Sequence, residues 1–148
     1  MNEEHLRAHV IEVAHSWLGT PFHDCARIKG VGVDCACLIA EVFAEAGLIE
    51  RVAIPTYSPQ FFLHQDEPIL LSIIEGYTRA IPEIETRPAD LVIYKFGRQF
   101  SHCGLIVPPG WPLILHAYKQ DGRVTLAEGL GGHLERRERK FYRFRGWA

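Results

Sequence analysis

Apolar residues near the start of the chain recur with helical spacing. Leu6, Val10, Val13, Ala14, Trp17 and Leu18 form one face, which predicts a helix over 3–18 ending at Gly19 before Thr20-Pro21. The polar, Gly-containing stretch FHDCARIKGVGV reads as a loop with Gly30 and Gly32 as its flexible points. A second helix opens at Asp34. Leu38, Ile39, Val42, Phe43 and Ala46 keep its period, and Gly47 closes it. Residues 52–64 read as a loop punctuated by Pro55 and Pro59, and Asp66 with Pro68 starts a third helix through Ile69, Ile73 and Tyr77. Pro82 and Pro88 bracket another loop. Beyond Asp90 the runs shorten to LVIYK (91–95), CGLIV (103–107), LILHAY (113–118) and RVTLA (123–127), with turns at Pro108-Pro109-Gly110 and Asp121-Gly122. The segment KFYRFRGW (140–147) reads as a final edge strand. Helices first and antiparallel strands second is an α+β layout, with the N-terminal helices packed on a C-terminal sheet.

The 148 residues fit a single domain, 1–148. A hydrophobic share of 47% with 23% charged residues excludes a disordered chain. Sixteen basic against 18 acidic residues give a net charge of −2, so no global basic field points to nucleic acid. No apolar run approaches the ~18–20 residues of a membrane span. The start, MNEEHLRAHV, is acidic and lacks a signal-peptide pattern, which predicts a chain that is cytoplasmic when made.

Cys25, Cys35, Cys37 and Cys103 admit disulfides, a metal site or a nucleophile. A reducing compartment disfavours disulfides, and Cys35-Ala36-Cys37 is too tight for a zinc knuckle, so neither metal nor cofactor is expected. Cys35 follows a good N-cap, Asp34, and so stands at the first helical position, where free N–H groups and the helix dipole stabilise a thiolate and an attacked carbonyl oxygen. The competing reading is a small buried hydrophobe. A thiolate needs a base. His102 opens one strand and His116 ends the apolar run of the next; if these strands pair across the 108–112 turn, the imidazoles start near the same end. Taken singly, His116 also reads as a core histidine and His102 as a strand-end residue. His5, His9 and His15 fall on the first helix as surface residues, His23 is placed to line a cleft before Cys35, and His64 and His133 have no such placement.

With these residues in this order the chain resembles the NlpC family of papain-like cell-wall cysteine peptidases. WLGTPF (17–22) is similar to the family's Gly-Thr-Pro-aromatic segment and GVGVDCACLI (30–39) to its nucleophile motif. RPADLVIYK (87–95), SHCGLIV (101–107) and LILHAY (113–118) resemble the strand after the helical half, the histidine motif and the strand of the third polar residue. The resemblance covers roughly residues 10–127 and is to the phage-associated branch, including tail and gene-transfer-agent forms, with a KGVG-type loop and a helical insert at about 52–88. It implies Cys35 as nucleophile, His102 as general base and acid, and His116 as the group orienting that imidazole. Phe22, His23, Asp34 and Ser101 are the surrounding candidate substrate contacts. The implied reaction is hydrolysis of peptidoglycan stem peptides, commonly at the γ-D-glutamyl–diaminopimelate link, through a thioester. Phage tail proteins are the implied partners, with a tail-borne protein acting in the periplasm. Phe22 departs from the usual Tyr and Cys37 from the usual small Gly.

Three alternatives stand beside this reading. The same constellation suits an amidase cutting the muramoyl–alanine link. The fold also suits a catalytically silent tail assembly component. Finally, Arg136, Arg137, Arg139, Lys140, Arg143 and Arg145 interleave with Phe141, Tyr142 and Phe144, a pattern that can bind single-stranded nucleic acid but is more often a solvated strand face.

Overall fold

A computed structural model of the chain describes residues 2–53 and 69–147. Helix α1 (Glu3–His15) begins at Asn2, whose side-chain oxygen accepts the His5 N–H at 2.9 Å, with Glu3 and Glu4 at the positive end of the dipole. It stops at His15, short of the predicted Leu18. The following turn buries Trp17 but leaves Leu18 41% exposed, because the chain leaves the helical path to reach the sheet. There Gly19 N–H donates to Val124 O, and Val124 N–H to Thr20 O.

The Gly-containing loop holds a small antiparallel hairpin, β1 (Arg27–Ile28) with β2 (Gly32–Val33), too short for apolar alternation to mark. Helix α2 (Cys35–Glu45) starts and stops as predicted, with Asp34 as N-cap and Gly47 in the left-handed region at φ +82. Its residues 35–40, 42 and 43 are all buried. Pro55, Pro59, Asp66 and Pro68, which carry the expected loop and helix start, lie outside the described residues. Helix α3 (Ile69–Tyr77) carries Ile73 and Tyr77 as expected.

Strands β3 (Thr78–Ile81), β4 (Leu91–Phe96), β5 (Gln99–Ile106), β6 (Leu113–Tyr118), β7 (Arg123–Glu128) and β8 (Arg139–Phe144) form one antiparallel sheet in the order β3-β8-β4-β5-β6-β7. The last strand is therefore not an edge: β8 lies between β3 and β4. Its Phe141, Tyr142 and Phe144 are buried, so they do not present the exposed rings that base stacking needs. Strand β3 was not visible as apolar alternation, since only Thr78 and Ile81 of its four residues are buried.

One core lies between the helices and the sheet, around Val10, Leu38, Val42, Leu91, Ile93, Leu105 and Leu115. A smaller one, with Val92, Tyr94, Ile106, Ile114, Leu134 and Phe141, covers the other face. Asp90, at the head of β4, accepts the Arg87 N–H as a turn-forming residue does. It is also fully buried between two guanidinium groups, Arg7 Nη1 at 3.0 Å and Arg143 Nη2 at 2.8 Å. No helix among the described residues is long and apolar enough to cross a membrane.

Candidate active site

The site is assembled at the start of α2. Asp34 is buried; its Oδ1 accepts the Cys37 N–H at 2.9 Å and its Oδ2 the Cys25 N–H at 2.8 Å. The same carboxylate thus caps the helix and holds Cys25 in a left-handed conformation at φ +63. These bonds commit an oxygen each to the loop and to the helix start. Asp34→Ala is expected to cost about 0.5–2 kcal/mol, the range for a lost N-cap. Urea denaturation checks this, and an unchanged midpoint at unchanged slope would contradict the capping role.

Cys35 is 9% exposed, and its thiol lies 3.5 Å from the carbonyl oxygen of Ser101 on β5. Ser101 stands where the β4–β5 register slips between Tyr94 and Lys95, a bulge that presents its backbone to the sulfur. Ser101 thus meets Cys35 through its carbonyl. Next to it, the buried Cys103 thiol donates to Cys35 O at 3.3 Å. A hydrogen bond from Cys103, then one from His102 and its charge, outweigh burial and pull the Cys35 thiol down from 9.0 to about 5. Cys103 itself is pushed well up, chiefly by that hydrogen bond and by burial. Burial and the Asp34 carboxylate also push Cys37 up, so it remains a thiol. Among these three sulfurs, Cys35 carries the thiolate character.

The pairing of Leu105 with Leu115 across β5 and β6 sets His102 diagonally from His116 on one face of the sheet. Their rings meet, with His102 Nε2 2.8 Å from His116 Nδ1. Burial, reinforced by His102, lowers His116 to about 3 and keeps it neutral at physiological pH. With Nε2 directed at His116, Nδ1 is the His102 nitrogen left for the Cys35 sulfur. Tyr118 stacks on His116 at 5.1 Å and 14°, and Phe96 meets His102 edge-on at 5.7 Å, shielding the pair. Tyr118 lies two residues from His116 on the same strand face; strand alternation was the available signal for it.

The expected neighbours are placed unequally. Phe22 is half-buried against the main core, and its N–H donates to Gly122 O at 2.8 Å. His23 is exposed, with its N–H on Val33 O. It packs over Gly32, where an added Cβ would stand 3.0 Å from His23 Cβ. Phe22 and His23 thus lie on the loop that leads to Asp34, and His5, His15 and His133 are exposed. Among the described residues, no group of three or more His, Cys, Asp or Glu is placed to hold a metal ion.

This packing of helices on an antiparallel sheet has solved counterparts. RipB, a peptidoglycan hydrolase from Mycobacterium tuberculosis, superposes with a TM-score of 0.63 at 21% identity, over 96% of this chain and 66% of that one. The chain has the NlpC/p60 fold. An NlpC/p60 family protein from Bacillus cereus gives a TM-score of 0.67 at 16% identity, over 93% of this chain and 40% of that one. RipD of Mycobacterium tuberculosis, a non-catalytic NlpC/p60 domain protein adapted to peptidoglycan binding, gives 0.58 at 17% identity, over 93% and 96%. This NlpC/p60 fold thus spans only part of the RipB and Bacillus cereus structures. No protein-family model matches the sequence, and no curated protein matches it.

Proposed function

We propose that this protein is a cysteine peptidase that hydrolyses peptide links in peptidoglycan stem peptides, with Cys35, His102 and His116 as its catalytic triad. The observation that carries the reading is the 2.8 Å contact between His102 and His116 beside the cysteine at the first position of α2, whose thiol is strongly acidified. The peptidoglycan substrate is supported by the fold shared with RipB.

In this mechanism the Cys35 thiolate attacks the γ-D-glutamyl carbonyl carbon, and the oxygen takes up negative charge at the α2 N-terminus, where the helix dipole favours it. His102 gives its proton to the leaving amine as the C–N bond breaks, leaving a thioester on Cys35. His102 then takes a proton from water, whose oxygen attacks the thioester carbon; the C–S bond breaks, the stem peptide leaves with its new γ-carboxyl group, and the thiolate is restored. His116, neutral and buried, accepts from His102 Nε2–H and fixes the ring so that the other nitrogen meets the sulfur. Phe22 lacks the hydroxyl of a Tyr and shapes the site by packing alone.

A tail-borne setting belongs to the same proposal. Its support is the Lys29–Gly32 loop, where the chain resembles phage-associated forms and leaves Ile28 and Val31 61% and 68% exposed for a partner.

The test is mass spectrometry of diaminopimelate-type muropeptides after incubation with the protein. Products split after D-glutamate are expected with the wild type, and none above background with Cys35→Ala. Cleavage between muramic acid and alanine would make it an amidase. Intact muropeptides that remain bound would favour the second reading, a non-catalytic wall-binding protein such as RipD.

A further inference from the structure

His116 Nε2 is completely enclosed and has no hydrogen-bond partner among the described residues, although a neutral imidazole accepting at Nδ1 carries its proton there. A buried N–H without an acceptor forfeits its solvation with nothing in return, so its surroundings need an explanation. The Asp121 carboxylate stands 3.7 Å away at Oδ2, just beyond hydrogen-bond length. Asp121 ends the short 3₁₀ turn Lys119–Asp121 that follows β6. Gly122, at φ +74, closes that turn by donating to Tyr118 O and Lys119 O, and its own carbonyl accepts from Phe22 N–H. The backbone is therefore pinned between the histidine strand and the nucleophile's loop, while the Asp121 side chain is 44% exposed, so that a small rotation about its own bonds would close the gap.

We infer that Asp121 is a positioning residue that extends the triad to a fourth member, Cys35-His102-His116-Asp121. This rests on the catalytic reading above and deepens it. The carboxylate accepts the His116 Nε2 proton, fixes the tautomer that leaves Nδ1 as acceptor, and adds negative charge behind a proton held on His102. That charge favours the thiolate–imidazolium state of the Cys35–His102 pair. The groups facing His116 are His102 from β5, Tyr118 on its own strand, Thr125 opposite it on β7, and Asp121 from the turn. Lys119 on the same turn pairs with Asp24 at 3.6 Å, and the Arg137 charge acts on the Tyr118 hydroxyl.

The test is a charge series at this tolerant surface position, Asp121→Glu, Asp121→Asn and Asp121→Lys. Three quantities are measured: the muropeptide rate, the pH dependence of Cys35 alkylation, and the thermal midpoint. Asp121→Asn is expected to lower kcat about three- to tenfold, the effect of losing one partly exposed charged hydrogen bond. The alkylation inflection moves to higher pH. Asp121→Lys goes further in both and lowers Tm, since an ammonium cannot accept the Nε2 proton, whereas Asp121→Glu retains most of the wild-type behaviour and Tm stays unchanged in Asp121→Glu and Asp121→Asn. An alkylation profile identical across the series overturns the inference and leaves the peptidase reading intact. Muropeptides left whole by the wild type, with a graded alkylation shift across the series, would instead overturn the substrate reading and uphold the role of Asp121.

Discussion

Replacing His102 with Ala is expected to lower kcat/KM on muropeptides by on the order of 10²–10⁴, the contribution of a positioned general acid–base. The same substitution raises the pH at which Cys35 becomes reactive. In the wild type the rate of iodoacetamide alkylation at Cys35 is expected to rise as pH passes about 5 and to be level through neutrality, because the thiolate forms above that pH. His102 supplies a hydrogen bond and a charge that favour the thiolate; burial opposes them. Without His102, burial is resisted mainly by the Cys103 hydrogen bond, and the inflection climbs toward the ordinary thiol range. Peptide mapping separates Cys35 from the partly exposed Cys25. An inflection that stays near pH 5 in the variant would show that Cys103 alone activates the thiol and that His102 is a bystander.

What the sequence disclosed about this site follows from how locally each feature is encoded. Asp34 before Cys35 is a cap read from adjacent residues, and the structure places it there. The pairing of His102 with His116 needed only strand alternation and a short connection, both visible as apolar periodicity. The placement of β8 between β3 and β4 was not legible. It depends on a return across the whole sheet that no nearby turn encodes, and the basic residues of β8 gave it the composition of an edge. The bulge at Ser101 and the closeness of Asp121 to His116 likewise arise from the register of strands in contact. Arg7 escaped notice for a related reason. Its position on the inner face of α1 breaks the apolar pattern, and partners distant in sequence, Asp90 and the Pro88 carbonyl, make it tolerable there.

That dependence makes Asp90→Ala the stability prediction of largest size, a loss of about 3–5 kcal/mol, as expected when one partner of a buried ion pair is removed. Asp90 is fully buried, Arg7 is 4% exposed, and Arg143 reaches the same carboxylate through two nitrogens at 2.8 and 3.1 Å. Deleting the carboxylate leaves two guanidinium charges facing one another in the interior. In contrast, Arg143→Met leaves Asp90 paired with Arg7 and should cost less. For a chain of this length the Asp90→Ala loss corresponds to a fall in Tm of roughly 6–20 °C. The damage spreads toward the site because Ile106 N–H donates to Asp90 O and Ala89 N–H to Ile106 O, so the same residue anchors β4 to β5, the strand that bears His102. Urea denaturation of the two variants separates these effects. A cost for Asp90→Ala below that of Arg143→Met would mean that the arginines find other acceptors, such as the Pro88 and Glu85 carbonyls they already reach, and that the carboxylate is dispensable to the joint between α1 and the sheet.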